Sequence, residues 1–246
     1  MISQLSQRAR ILWISIPSAL VVVCLVMMFF LNHEPPPFNP IARATLHAQD
    51  HGHQLVTGYT TTSTLIEVVD ELLHKRGGYM SNDSMPPWVF LDNVPNWEIG
   101  VLTQVRDLAR AMRNDFSRSQ TQSTEDLDLS EADPLVHYDN ARWIPPDTEG
   151  RYRKGMDALE RYLTRLSSPS ESEGQFYARA DNLTDWLAIV EKRLGSLSQR
   201  LSASVGQVRL NTDLSGDPEA RQSTDSPNVV MVKTPWTQID DVFYEA

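Results

Sequence analysis

Ile11 to Leu31 reads ILWISIPSALVVVCLVMMFFL, 21 residues without a charge. A helix rises about 1.5 Å per residue, so a run of this length covers the ~30 Å hydrocarbon core of a bilayer. The stretch predicts one N-terminal transmembrane helix, and everything after it is read as a body tied to a membrane. Arg8 and Arg10 precede the run, and the next Lys or Arg after it is Arg43. Positive charge stays on the cytoplasmic side, so the N-terminus is expected inside and the body outside. A cleaved signal peptide would have an apolar core of roughly 7–15 residues and a small-residue cleavage site. Phe29 to His33 offers no such site, which favours a retained signal anchor. Pro17 lies toward one end of the span, where a kink is tolerated.

Charge narrows the partners. Only two of the 22 Lys and Arg, and none of the 32 Asp and Glu, precede the end of the run, so the remainder carries a net charge of −12. Nucleic acid requires a basic footprint and is not expected as a partner. Broad adhesion to anionic lipid is disfavoured for the same reason. The single cysteine, Cys24, falls inside the apolar run, so the body has neither a disulfide nor a thiol nucleophile.

The fold class expected is all-α: the transmembrane helix, then an antiparallel helical bundle that includes one long coiled-coil-like helix. Residues 1–10 form a short cytoplasmic tail and 11–31 the span. A juxtamembrane spacer over 32–58 begins with EPPPFNP (34–40), whose four prolines favour a stiff extended chain. The bundle occupies 59–205. Its first helix is expected at Leu65–Arg76, with Thr64 and Glu67 as a capping box, Glu71–Lys75 as an i,i+4 pair and Gly77–Gly78 as the stop. The loop Tyr79–Trp97 (YMSNDSMPPWVFLDNVPNW) is too aromatic for disorder and too long for a plain connection. A second helix is expected from about Trp97 to Arg118, capped by Asn96. The acidic stretch Glu125–Asp133 reads as a solvated linker, and Val136–Pro146 as another aromatic, proline-bounded loop. A third helix spans about Thr148–Ser167, supported by Asp157–Arg161.

The clearest period is the last. Phe176, Ala180, Leu183, Leu187, Val190, Leu194, Leu197 and Leu201 repeat 4-3 over a helix expected at about Glu173–Ser204. Residues 206–233 are polar and read as a linker. Thr234 and Pro235 then suit a helix start over 234–246, and the pattern ends so soon that a truncated C-terminal part is expected.

Several of these segments, namely GGYMSNDSMPPWVFLDNVPNWEIGVLTQVRDLARAMRNDFSRSQ, YRKGMDALERYLTRL, FYARADNLTDWLAIVEKRLGSLSQRLSASVGQ and KTPWTQIDDVFYEA, resemble a bacterial membrane-protein family catalogued as domain of unknown function 2333. The resemblance runs from about Tyr59 to Ala246. It implies a proteobacterial protein with one N-terminal membrane helix; in a bacterium the orientation expected from Arg8 and Arg10 then makes this a single-pass inner-membrane protein with a periplasmic body. It supplies no catalytic or binding residues. Members of the family resembling this chain continue into further helices, in line with the truncation expected above.

Four groups of residues carry candidate chemistry. His47, Asp50, His51 and His53 are metal-ligand types, and H-x-x-x-H puts His47 and His51 on one helical face, but a fourth spaced ligand is not evident. Asn82, Asp83, Asp92 and Asn93 are oxygen donors for calcium, though Asn and Asp beside Pro are common turn formers. Glu98, after an aromatic loop, has the setting of a general acid or of a first-turn helix glutamate. Arg106, Arg110 and Arg113 suit an anionic ligand, or pairing with the acids of 125–133. The sequence contains no G-x-S-x-G, H-E-x-x-H, phosphate-binding glycine loop or C-x-x-C. No catalytic, metal or cofactor residue is assigned on this basis, and no cofactor is expected. The favoured reading is an interaction or scaffold protein that binds a protein partner or itself, with Tyr79, Trp88, Phe90, Trp97 and Trp186 as its candidate surface. The rival is an envelope enzyme or ligand or metal sensor using Glu98 or His47, His51 and His53.

Overall fold

A computed structural model describes residues 7–119, 124–168, 174–204, 208–210, 231–233 and 236–246. Eight α-helices lie among them: α1 (Gln7–Leu31), α2 (Pro40–His51), α3 (Tyr59–His74), α4 (Asn93–Ala111), α5 (Leu127–Val136), α6 (Thr148–Ser167), α7 (Ala180–Ser204) and α8 (Trp236–Glu245). Strands β1 (Val208–Leu210) and β2 (Met231–Lys233) form a short antiparallel pair. The all-α reading therefore holds, with this pair as a small addition inside the stretch read as a linker. Thr234 and Pro235 lie outside the described residues.

Trp13–Leu31 of α1 is long and apolar enough to cross a membrane, and none of its most apolar window is buried by the rest of the chain. Among the described residues, its last turn is what touches the body. Met28 and Leu31 pack on a small cluster of Met80, Leu91 and Val94, together with Trp88. Gly77 makes that approach feasible: its φ is +86°, and a side-chain carbon there would sit 2.8 Å from Leu31 Cδ2.

From this end the helices run alternately up and down. Residues 33–39 carry no regular secondary structure, and Asn39 then caps α2 by accepting from the amides of Ile41 and Ala42, with Pro40 in the first turn. The stretch read as a 32–58 spacer is thus a short irregular lead into a helix. Helix α2 climbs along α3, from an Arg43–Glu67 ion pair (3.1 Å) to His47 beside Tyr59. Helix α3 begins at Tyr59, six residues before the expected start, because its apolar face continues through Tyr59 and Thr62. Thr64 is consequently in mid-helix and caps nothing. Lys75 leaves the expected Glu71 pair for Glu98.

The second helix also starts early. Asp92, and not Asn96, accepts from the amide of Asn93, and Pro95 fits the first turn, where no amide donor is needed. After Ala111 the helix ends in one π turn over Met112–Phe116. The acidic stretch taken for a linker is mostly helix α5. Asp126 caps it by accepting from the amides of Asp128 and Leu129, and Leu129, Ala132 and Val136 pack inward. Few apolar residues sufficed because acids satisfy basic side chains on neighbouring helices: Arg165 reaches Asp126 (2.7 Å) and Asp128, and Arg161 reaches Asp128 (2.9 Å) and Glu131, and not Asp157.

Helix α6 matches its expected bounds. Leu159, Tyr162 and Leu163 are fully buried in one core shared with Leu72 of α3, Val105 of α4 and Leu129 of α5. Helix α7 starts at Ala180 and not Glu173, and residues 174–179 cross the bundle without helix, where Phe176 stacks on Phe116 at 5.0 Å. It then runs antiparallel to α4, from Asn182 Nδ2 donating to Asp115 O (2.7 Å) to Arg193 paired with Asp107 (2.9 Å). The leucine seam is not its buried face. Trp186 packs against the core, whereas Leu183, Leu187 and Leu194 each stay about half exposed.

Candidate functional site

Four arrangements bear on function. The first is polar and deep. Glu98 is fully buried in the first turns of α4, and its carboxylate accepts from Lys75 Nζ, Ser81 Oγ and the amides of Met80 (2.8 Å) and Ser81 (2.7 Å). Lys75 Nζ also donates to Leu72 O (3.1 Å) and Gly78 O (2.5 Å), and lies 6.0 Å above the rings of Tyr79 and Trp97. Burial pushes the Lys75 ammonium below its ordinary pKa, and Glu98 holds it up against that. Four donors and no exposure leave this carboxylate nothing to give a substrate. The general-acid candidate is a clasp: it closes the end of α3 and the start of the aromatic loop onto α4.

The second arrangement is the histidine cluster at the opposite end of α3. The rings of His47 and His51 stack with centroids 4.3 Å apart, and His51 and His53 lie 5.6 Å apart. His47 Nδ1 and His53 Nδ1 both meet the Tyr59 hydroxyl, at 2.8 and 3.1 Å. A phenol both donates and accepts, so one bond of each sense satisfies both imidazoles. Glu160 of α6 stands 3.5 Å from His47 Nε2, and His51 Nδ1 bonds His47 O at 2.9 Å. Burial, followed by the Glu160 charge, pushes the Tyr59 phenol up to about 12. Among the described residues no group of three or more His, Cys, Asp or Glu side chains is arranged to hold a metal ion. His47 Nδ1 and His53 Nδ1 converge on the Tyr59 hydroxyl, while His47 Nε2 and His51 Nδ1 turn to a carboxylate and a carbonyl. What they do is hold α2 against α3 and α6.

That clamp has a sign with pH. Burial, then His51 and His47, push the His53 imidazole below its ordinary 6.5, against a smaller upward pull from Glu160. The unfolded chain therefore binds the proton first. His53 gives its full contribution above 6.5, and the contribution is lost as pH falls from 6.5 through the lowered value. Amide hydrogen exchange in α2, corrected for its intrinsic pH dependence, is expected to speed up between pH 7.5 and 5.5. His53→Ala is expected to flatten that change, and an unaltered change in the variant would clear His53 of the role.

Two of the four calcium candidates have structural roles, although the buried Asn82 Oδ1 has no hydrogen-bond partner among the described residues. Asn82 is buried, with Nδ2 donating to Arg142 O (3.2 Å) and Glu149 Oε2 (3.0 Å), and Asp92 caps α4. The arginines also have protein partners. Arg106 donates to Val136 O, Tyr138 O and the Tyr152 hydroxyl, Arg113 pairs with Glu125 and Asp133 at 2.8 and 2.9 Å, and Arg110 lies 3.9 Å from Asp133. They tie α4 and its π turn to α5 and its flanks; Arg110 and Arg113 pair with acids of 125–133 as one alternative expected, whereas Arg106 is held by carbonyls and a hydroxyl.

The third and fourth arrangements are apolar surfaces. In the Tyr79–Trp97 segment, Tyr79 is buried, Trp97 is half-buried on the core and Trp88 half-buried against α1, while Phe90 is exposed along with Met85 and Val89. The α7 surface consists of Leu183, Leu187 and Leu194 beside the half-buried Val190, all on one side of the helix. Trp186 faces the core and so is not part of it. The signal for the α7 surface was present as the 4-3 period, but a period states only that a face is apolar, not which face the bundle covers.

A family model described as an uncharacterized protein conserved in bacteria (DUF2333) matches residues 6–246, and the chain belongs to that family. No curated protein and no solved structure matches it.

Proposed function

We propose that this DUF2333 protein is a single-span inner-membrane scaffold: its N-terminus is cytoplasmic, α1 crosses the bilayer, and the helical body stands in the periplasm and pairs with a second copy through α7. Support for the span comes from the uncovered apolar face of α1, and for its direction from Arg8 and Arg10 against the absence of Lys and Arg over 32–42. The observation that carries the pairing is the half-exposed stripe Leu183–Leu187–Val190–Leu194. Leucines at 4-3 spacing along one helix interdigitate with the same spacing on another. The opposite flank of the helix is already fixed by Arg193–Asp107 and Arg200–Glu245, so the stripe is presented on a rigid support.

The test uses full-length protein in native membranes with Cys24→Ser and one added cysteine. Leu187→Cys is expected to give a disulfide-linked dimer under mild oxidation, and Lys192→Cys, on the other side of α7, is not. Equal yields at the two positions, or a monomer at both, would remove the self-association reading. A cross-link from Leu187→Cys to a different envelope protein would replace the second copy with that partner.

A further inference from the structure

We infer that the loops 79–92 and 138–147 form a lipid-facing foot, seated in the interface of the same bilayer that α1 crosses; this rests on the membrane reading above. The loops meet at the α1 end of the bundle. The 79–92 loop touches α1 itself, because Met80, Trp88 and Leu91 pack with Met28 and Leu31 in the final turn of the apolar helix. Met28 lies one turn inside the end of the uncharged run. A segment packed on it therefore lies level with the boundary between hydrocarbon and headgroups. Within three residues of those contacts, the loop turns Met85, Val89 and Phe90 outward, with Met85 73% and Phe90 65% exposed.

The second loop is held beside the first. Tyr79 donates its hydroxyl proton to Asn140 O (3.0 Å), and Asn82 Nδ2 donates to Arg142 O (3.2 Å). The next two residues, Trp143 and Ile144, are both exposed, Trp143 at 65%. Two separate loops thus bring five large apolar side chains to the end of the body where α1 leaves it. Surfaces of this kind mark a membrane or protein contact, and Trp is a side chain that settles at headgroup depth. Continuity with α1 selects the bilayer as occupant. The net charge of −12 on the chain after Leu31 rules out attraction to anionic lipid as the driving force, so burial of apolar side chains is the cause and zwitterionic lipid suffices.

The experiment places single spin labels on full-length protein, Cys24→Ser throughout, in phosphatidylcholine liposomes. Phe90→Cys and Trp143→Cys report on the foot. Leu127→Cys is the water-exposed reference: it is 83% exposed at the start of α5, beside Arg165, and α6 separates Arg165 from the Asn82-bound Glu149 by about 24 Å. Val22→Cys reports on mid-span. Labels at 90 and 143 are expected to be several-fold less accessible to a water-soluble nickel chelate than the label at 127, and more accessible to oxygen. Accessibility like that at 127 would overturn the inference. Loss of access to both reagents would mean protein contact and overturn it too. If the Val22→Cys label itself met the nickel chelate freely, the membrane reading would fall first and the foot with it, which separates the two failures.

Discussion

Glu98→Gln is expected to destabilise the body by about 3–5 kcal/mol, the usual cost of removing one member of a buried ion pair. The substitution keeps the shape of the side chain and removes its charge. Lys75 would then be an ammonium among Tyr79, Trp97 and two carbonyls, with no anion to offset its desolvation. The amides of Met80 and Ser81 would also share a weaker acceptor. Denaturant unfolding of the full-length protein in mild detergent, followed by tryptophan fluorescence, measures the effect. Lys75→Met combined with Glu98→Leu is expected to lose less than Lys75→Met and Glu98→Leu added together, because an apolar pair of similar volume removes the charge and its counter-charge at once. The lost amide acceptors set a floor for the double variant of about 1–3 kcal/mol per buried group left unpaired. A loss under about 1 kcal/mol in Glu98→Gln would mean that the loop holds its place without the carboxylate.

Leu159→Ala is expected to cost about 2–5 kcal/mol, the range for deleting a fully buried leucine. Leu159 has no exposed surface and belongs to the cluster shared by α3, α4, α5 and α6. The range depends on how far the site can collapse, and here its walls are whole helices held by ion pairs. Because the cluster is continuous, the loss should appear equally in every helix that contributes to it. Hydrogen exchange is expected to fall in protection by the same free energy in α3, α5 and α6. Protection lost in α6 alone would show that the helices do not unfold as one body.

Periodicity revealed the helices with strong stripes and little else nearby. The α6 bounds were legible because Tyr152, Leu159 and Leu163 face one core and Pro145–Pro146 precede the helix. Helix α5 was not legible. Its apolar residues are few, and its place is set by Arg161 and Arg165, more than 20 residues away in sequence. The starts of α3 and α4 differ from the expected ones for a related reason: Thr64 and Asn96 are good caps in isolation, but tertiary burial of Tyr59 and Val94 extends each helix past them. Glu98 followed an aromatic loop in the sequence, and nothing local indicated that Lys75 would meet it. The leucine stripe of α7 was visible as a pattern. That the bundle leaves most of it uncovered depends on where Phe176 and Asn182 dock the helix against Phe116 and Asp115, a choice made by the whole fold.

The contact of Met28 and Leu31 with the body also bears on geometry in two dimensions. A head on a loose tether samples all azimuths about the membrane normal independently of its anchor. Here the last turn of α1 is wedged against Gly77 and the Met80–Leu91 cluster, so the azimuth of the head follows that of the anchor. On the proposed membrane reading, spinning of α1 within the lipid becomes spinning of the whole molecule, and α7 always points along one fixed bearing from the anchor. Under the proposed pairing, two copies that meet in the plane would have a single angle each to match. Much of the rotational freedom that association in solution would cost is already surrendered before they touch.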